Sequence, residues 1–295
     1  MKKRVVIIIL NLNGIDYLRN CLKSIRENTN YKNYKIIVVD NNSTDGSKEM
    51  IQLKFDNIDL IKNKINRGFS GGNNDGIKYA IEKYNPEYFY LLNNDTLVKK
   101  NWLSEAIKVL KKTNAGIVGS KQLNFNEQPT ISAGWIRRFN VKYYYGDKEK
   151  EVGWVSGAGF MIKRDVIESI GMLDEIYNPA YYEETDFEKR AINKGFKIVH
   201  APKSIFLHAG GKTFDKEFNN FSEIFYRNRF IYFMRYYGLI YFIPRILSDI
   251  LKQFKSNGIT GVKKLFKYYR IGWRLDSETN ENTRKKEWKE LKKKY

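Results

Sequence analysis

The sequence predicts an α/β protein in which a mainly parallel central sheet is flanked by helices and followed by a helical C-terminal appendage. Three observations point there. Between Val5 and Gly119, short apolar runs alternate with stretches that repeat hydrophobic residues at helical spacing. Such alternation is the pattern of βα units whose sheet is covered on both faces. The alternation stops near residue 121, and from about Phe218 the chain turns aromatic and basic.

Each element has a local reason. Residues 5–10 form an unbroken apolar run and read as a buried strand. Residues 17–27 set Leu18, Cys21, Leu22 and Ile25 on one helical face. Strands are expected over 36–40, 58–62, 88–92 and 117–119, and helices over 47–53, 72–83 and 102–111. Residues 121–153, rich in Gly, Asn and aromatics, suit loops and an antiparallel hairpin. Strand character returns over 154–162, interrupted by Gly157 and Gly159. Helices follow over 164–170 and 184–193, with strands over 197–200 and 205–207. Further on, helices broken near Gly238 and Pro244 are expected, and 284–294 read as a solvated helix or frayed tail. The expected division is a main domain over 1–217, with halves of about 1–120 and 121–217, and a basic aromatic helical region over 218–295.

A chain of 295 residues with 42% hydrophobic residues has ample material for a core, which excludes global disorder. The one cysteine, Cys21, cannot form an internal disulfide, and its helical phase assigns it to the core. A reducing cytoplasm suits such a chain. Met1-Lys2-Lys3-Arg4 ahead of an apolar run imitates a signal peptide. That run leads into Asn11-Leu12-Asn13-Gly14 without a cleavage site, so a first strand is the better reading. No apolar stretch reaches the roughly 18 residues that a membrane span needs. The net charge of +20 calls for an anionic partner, and it is unevenly placed. From Lys216 onward, 19 Lys and Arg face 8 acidic residues, so +11 lies in the last 80 residues.

Two acidic signatures carry the chemistry. Asn93-Asn94-Asp95 ends the apolar run 88–92, and Glu183-Glu184-Thr185-Asp186 opens a helix. A carboxylate at a strand's C-terminal end lies at the mouth of the crevice where α/β folds bind ligands, placed to hold a divalent cation against a phosphate. A second carboxylate cluster in the same pocket supplies a general base. Asp40 also ends a strand, where it could accept hydrogen bonds from a base or ribose, whereas Ser43 or Asp45 could simply cap the next helix. The Gly68–Gly76 segment is too rich in glycine for a plain turn and could cradle an anion with backbone N–H groups. It matches neither the dinucleotide fingerprint nor a P-loop.

Seven motifs in order give a resemblance. They are Ile8-Ile9-Leu10-Asn11-Leu12-Asn13-Gly14, Val38-Val39-Asp40-Asn41-Asn42-Ser43-Thr44-Asp45-Gly46-Ser47, the segment Asn66–Gly76, Leu92-Asn93-Asn94-Asp95, Gly157-Ala158-Gly159-Phe160-Met161-Ile162, Glu183-Glu184-Thr185-Asp186-Phe187, and His208-Ala209-Gly210-Gly211. Together they resemble the family 2 glycosyltransferases of the GT-A fold, in particular the rhamnosyltransferase-like branch, over roughly residues 4–235.

The resemblance implies an inverting, metal-dependent transfer of a hexose, with rhamnose in view, from a dTDP- or UDP-linked donor to a glycan or lipid-linked saccharide in cell-surface polysaccharide assembly. It implies Mg²⁺ or Mn²⁺ held by Asp95 and His208, and donor contacts from Asn13, Asp40, Asn66, Gly72, Asn73, Asn93 and Asn94. Glu184 is implied as the base, with Glu183 and Asp186 raising its pKa; Gly157, Ala158, Gly159 and Trp154 would shape the acceptor side. The chain departs from the family pattern at Asn93 and Glu184, where aspartates are usual, and this leaves a non-catalytic sugar-binding homologue open. His200 reads as packed.

A sugar nucleotidyltransferase would carry a Gly-rich basic loop after the first strand, which is absent. No recognition motif supports nucleic acid as a partner. For the C-terminal region two readings stand: helices in an anionic membrane interface on the inner face of the cell membrane, or an appendage that packs on the main domain or forms a homodimer.

Overall fold

The computed structural model describes residues 5–136, 141–210 and 221–278. Its first half repeats one unit. Strand β1 (Val5–Asn11) leads to α1 (Ile15–Asn28), β2 (Tyr34–Asp40) to α2 (Ser47–Lys54), and β3 (Ile58–Lys62) to α3 (Gly68–Tyr84). Then come β4 (Tyr88–Asn93), β5 (Thr96–Val98), α4 (Trp102–Thr113) and β6 (Ile117–Leu123). The middle holds β7 (Ala133–Ile136), β8 (Val141–Tyr144), β9 (Lys150–Glu151), β10 (Trp154–Val155) and β11 (Gly159–Lys163). After them run α5 (Arg164–Ile170), a 3-10 turn (Glu175–Tyr177), α6 (Glu183–Asn193) and β12 (Ile198–His208). The C-terminal helices are α7 (Phe221–Tyr236) and α8 (Leu239–Glu278).

One large sheet runs in the order β3-β2-β1-β4-β11-β6-β12-β5, with β9 beside β12. The pairs among β3, β2, β1 and β4 are parallel, as expected. Beyond β4 the sheet is mixed, because β11 runs antiparallel to both β4 and β6. The expected hairpin is β7–β8, joined by β10 in a small second sheet.

Both faces of the sheet are buried, which is why its strands read as unbroken apolar runs. Val5, Ile7 and Ile9 point to one side, into a core with α1 and α4, where Cys21 is fully buried. Burial pushes the Cys21 thiol up to about 12, so it stays protonated. Val6 and Ile8 point to the other side, into a core with α3, α5 and α6. Each such side chain taken out of water contributes about 1.5–3 kcal/mol. A third apolar cluster joins α7 to α8 through Phe230, Phe233, Phe242, Leu265 and Tyr269.

Four elements differ from expectation, the first being α8, which continues through Pro244 and breaks instead at Gly258. Strand β5 follows the Asn93–Asp95 turn at once and had no apolar run to announce it. The two expected strands at 197–207 are one, β12, with a bulge between Ala201 and Ile205. Helix α3 begins at Gly68, so the glycine-rich segment is helix from its first residue. Residues 284–294 and the expected domain boundary at 217 lie outside the described residues. No helix among the described residues is long and apolar enough to cross a membrane.

Candidate active site

The C-terminal ends of β1, β2 and β4 converge, and short polar side chains tie them together. Asn11 Nδ2 donates to Asp40 Oδ2 at 3.1 Å and to Ser43 Oγ at 3.2 Å, while its Oδ1 accepts from Asn94 Nδ2 at 2.8 Å. Asp40 Oδ1 accepts from the Ser43 amide at 2.8 Å. Asn13 caps the same turn: its amide donates to Ser43 Oγ at 3.0 Å and its Oδ1 accepts from the Thr44 amide at 2.9 Å. Asn41 Nδ2 donates to Asn66 Oδ1 at 3.2 Å and to the Gly68 carbonyl at 3.0 Å, fixing the entrance to α3.

Several of the residues expected at the donor are engaged within the protein. Asp40, expected at the nucleotide, is fully buried with both carboxylate oxygens engaged within the protein. Asn13 is a turn residue, and Asp45 caps helices, accepting from the Ile15 and Ser47 amides. Gly72 and Asn73 lie on the buried side of α3. A Cβ on Gly72 would stand 2.3 Å from Leu10 Cδ1, so this glycine permits close helix–sheet packing rather than an anion cradle. Asn73 is 2% exposed and donates to the Phe69 carbonyl.

A cavity of about 470 Å³ opens beside these strand ends. Asn41, Asn66, Asn93, Asn94, Asp95 and His208 are on its wall, and Glu183 and Glu184 line it as well. Register explains how two residues 113 positions apart meet: β12 runs antiparallel to β5 with His208 opposite Thr96, the residue after Asp95. His208 Nε2 lies 3.1 Å from Asp95 Oδ1, and Asn93 Nδ2 is 3.5 Å from the same nitrogen. The Ala209 amide donates to the Asp95 carbonyl at 3.1 Å, pinning the turn.

Donor chemistry at Asp95 and His208 fits a divalent cation: a carboxylate and an imidazole converge on one point of the cavity wall, and buried His208 Nδ1 has no hydrogen-bond partner. Among the described residues no three His, Cys, Asp or Glu gather to hold a metal. An ion here would therefore complete its shell with substrate oxygens and water.

The facing wall begins α6. Glu184 is partly exposed to the cavity, with the Thr185 hydroxyl donating to its Oε1 at 3.3 Å. Burial raises its pKa above the ordinary carboxylate value, although the helix's first N–H groups favour the ion. Glu183, 4% exposed, is raised well above the ordinary carboxylate value by burial and by Glu184. Glu188, one turn on, is fully buried, accepts from the Val155 amide at 3.0 Å and is likewise raised by burial and by Glu184.

Asp186, expected to join this acidic cluster, faces away. It accepts from Arg190 Nε at 2.8 Å, Tyr236 Oη at 2.7 Å and Tyr177 Oη at 3.2 Å. Gly157 packs on Glu184: a Cβ there would lie 3.3 Å from its Cγ. Ala158 lines the cavity too, whereas Gly159 packs under Phe206 and Trp154 packs on Tyr143, away from it. His200 is packed as expected, edge-on to Tyr144, and burial lowers its pKa to about 4.

The loop leading to Glu183 is backbone-strained and held from outside. Tyr181 and Tyr182 both adopt φ of +74°, a costly region for residues with a Cβ. Fully buried Asn228 of α7 donates to the carbonyls of Tyr177, Ala180 and Tyr181 at 2.6, 2.9 and 2.9 Å. Arg227 donates to the Asn178 carbonyl, and Arg235 pairs with Asp174 at 2.7 Å. The C-terminal helices are thus the brace of this wall.

Sequence reasoning missed Asn11, Asn41, Glu188 and Asn228. A polar residue ending an apolar strand was a usable signal for Asn11. A carboxylate four residues after Glu184, on the inward face of an amphipathic helix, was one for Glu188.

Residues 5–171 match the sequence model described as Glycosyl transferase family 2. The chain belongs to that family. It is 30% identical over 237 residues to the low-salt glycan biosynthesis hexosyltransferase Agl10 of Haloferax volcanii, covering 76% of this chain and 74% of that one. It is 23% identical over 184 residues to the dTDP-rhamnosyl transferase RfbF of Shigella flexneri, covering 61% of each. Its fold, of the GT-A type, matches the mannosyltransferase PcManGT of Pyrobaculum calidifontis in complex with GDP-Man and Mn²⁺, with a TM-score of 0.55, 15% identity, and coverage of 91% of this chain and 74% of that one. The chain is accordingly a glycosyltransferase.

Proposed function

We propose that the enzyme transfers a hexose from a nucleoside diphosphate sugar to a hydroxyl of a glycan or lipid-linked saccharide by one inverting displacement. The observation that carries this reading is the placement across one cavity of Asp95–His208 and the half-buried carboxylate of Glu184. Asp95 and His208 would hold Mg²⁺ or Mn²⁺, which supplies charge neutralisation for the departing diphosphate. The likeness to a dTDP-rhamnosyl transferase favours a pyrimidine nucleotide carrying rhamnose or a related hexose.

In the reaction, Glu184 accepts the acceptor hydroxyl's proton as that oxygen bonds to the anomeric carbon. The bond from that carbon to the diphosphate oxygen breaks on the opposite side, and the nucleoside diphosphate leaves with the electron pair. Asn93 and Asn94 give the donor uncharged hydrogen-bonding partners, and Asn66 does so at the mouth of α3. Raised basicity suits Glu184 to this step, since a carboxylate of ordinary pKa is a weak proton acceptor near neutrality.

The test is release of nucleoside diphosphate from UDP-, dTDP- and GDP-sugars, with Mn²⁺, Mg²⁺ or EDTA, and with Asp95→Ala as control. One donor hydrolysed slowly, and neither with EDTA nor by the variant, is the expected result. NMR of the glycoside formed with an acceptor fixes the anomeric outcome; retention would overturn the single displacement.

A further inference from the structure

Helix α8 is two helical segments meeting at Gly258, and each has one apolar face packed inward and one that is exposed among the described residues. Phe242, Leu265 and Tyr269 face inward and pack on Phe230 and Phe233 of α7. Ile240, Ile243, Leu247, Leu251 and Phe254 form a second row at spacings of three and four, all on one side of the helix. They are exposed, from 46% at Ile243 to 76% at Ile240. Gly258, with φ +57°, ends this first segment. The second repeats the pattern at spacings of seven, with Ile259, Phe266 and Trp273 more than half exposed.

Cations rim both rows. Lys252 and Lys255 are exposed beside the first, and Lys263, Lys267, Arg270 and Arg274 beside the second. The acidic side chains described in α8 are turned inward: Asp249 is 1% exposed and paired with Arg229, and Asp276 pairs with Arg235. An isologous contact with a second copy would set this basic rim against itself. An anionic lipid surface complements it, with apolar rings and chains at headgroup depth and ammonium and guanidinium groups among the phosphates.

We infer that the outward face of α8 is a docking surface for an anionic bilayer, on which the enzyme lies without crossing it. The same helix packs on α7, whose Asn228 holds the loop beside Glu184. Docking therefore fixes the cavity's height and orientation over the membrane, which suits an acceptor whose anchor is in the lipid. Vesicle binding does not depend on transfer, so this surface and the proposed reaction stand or fall separately.

The test is flotation of the full-length chain with vesicles of phosphatidylcholine alone or mixed with phosphatidylglycerol. Wild type is expected to float with the mixed vesicles, less so at high salt, and poorly with phosphatidylcholine alone. Leu247→Glu with Leu251→Glu, both on exposed positions, should weaken binding about tenfold or more while leaving slow donor hydrolysis unchanged. Lys263→Glu with Lys267→Glu should remove the preference for phosphatidylglycerol. Absence of binding, or equal binding to neutral vesicles, overturns the proposal. So does a wild-type dimer in sedimentation velocity that the Leu247→Glu, Leu251→Glu variant splits, which would assign the face to a second copy. Vesicle binding gained only when residues 279–295 are removed would assign it to this chain's own tail.

Discussion

The two walls of the cavity are built on opposite plans. At the ends of β1, β2 and β4, Asn11, Asp40, Asn41, Ser43 and Asn94 bond to one another or to nearby backbone, so this wall is complete in itself. Across the cavity, Glu183 and Glu188 each keep a buried oxygen without a partner, and Asn178 Oδ1 does as well. The segment between them includes two consecutive residues at positive φ and is held by side chains of α7. A satisfied wall positions a ligand passively. One whose carboxyl groups are only partly satisfied depends on the rest of the fold to keep its shape.

The largest contrast is expected between one residue from each wall. Glu184→Gln should lower kcat by about 10²–10⁴-fold with little change in donor binding, because the proposed base would touch only the incoming hydroxyl. Asp95→Asn should weaken metal-dependent donor binding as well as turnover, measured by calorimetry with and without Mn²⁺. The sign of the pH effect follows from burial. A base must be ionised, and burial raises the pKa of Glu184, so kcat should fall with decreasing pH on a limb above the ordinary carboxylate range. In Glu184→Gln that limb should vanish. Equal donor-binding losses in the two variants would erase the distinction between the walls.

Next in size is a test of the brace. Asp186 is fully buried between Arg190 and two tyrosine hydroxyls, with Arg235 3.8 Å away. Asp186→Ala leaves the buried Arg190 guanidinium without its carboxylate, while Arg235 keeps Asp174 and Asp276, and should cost about 3–5 kcal/mol in denaturant unfolding. Asn228→Ala removes the donor to three carbonyls of the strained loop and should cost about 1–3 kcal/mol. It should also lower kcat more than it changes donor binding, since the loop it frees leads into Glu183 and Glu184. A variant that unfolds more easily yet keeps full kcat would reduce α7 to a structural prop.

The parallel half of the fold was legible because burial on both faces leaves nothing in β1, β2 and β4 but apolar side chains. Asp95, His208 and Glu184 were legible as chemistry-bearing residues at element ends. Asp40 was read like Asp95, since both are aspartates closing a strand. Only Asp95 sits on a turn whose chain folds straight back as β5, and no residue pattern marked a three-residue strand. Gly72 stood out in the sequence for a reason that sequence alone could not choose, because close packing on Leu10 and close approach to a phosphate both demand a missing Cβ. The positive φ at Tyr181 and Tyr182 left no mark, as tyrosine is not the residue such a backbone selects.

The smallest effect belongs to Asn13, which sequence reasoning put at the donor. Its contacts close the turn that ties β1 to β2: the Thr44 amide donates to its side chain, and its own amide donates to Ser43. Removing one partly exposed hydrogen bond of this kind costs about 0.5–1.5 kcal/mol. Asn13→Ala should therefore lower the unfolding midpoint slightly and leave the donor KM unchanged. Asn66→Ala, at a residue that lines the cavity and accepts from Asn41, should raise that KM. Were Asn13→Ala to raise KM as much as Asn66→Ala, the satisfied wall would have to open when the donor binds, and its difference from the braced wall would be one of degree.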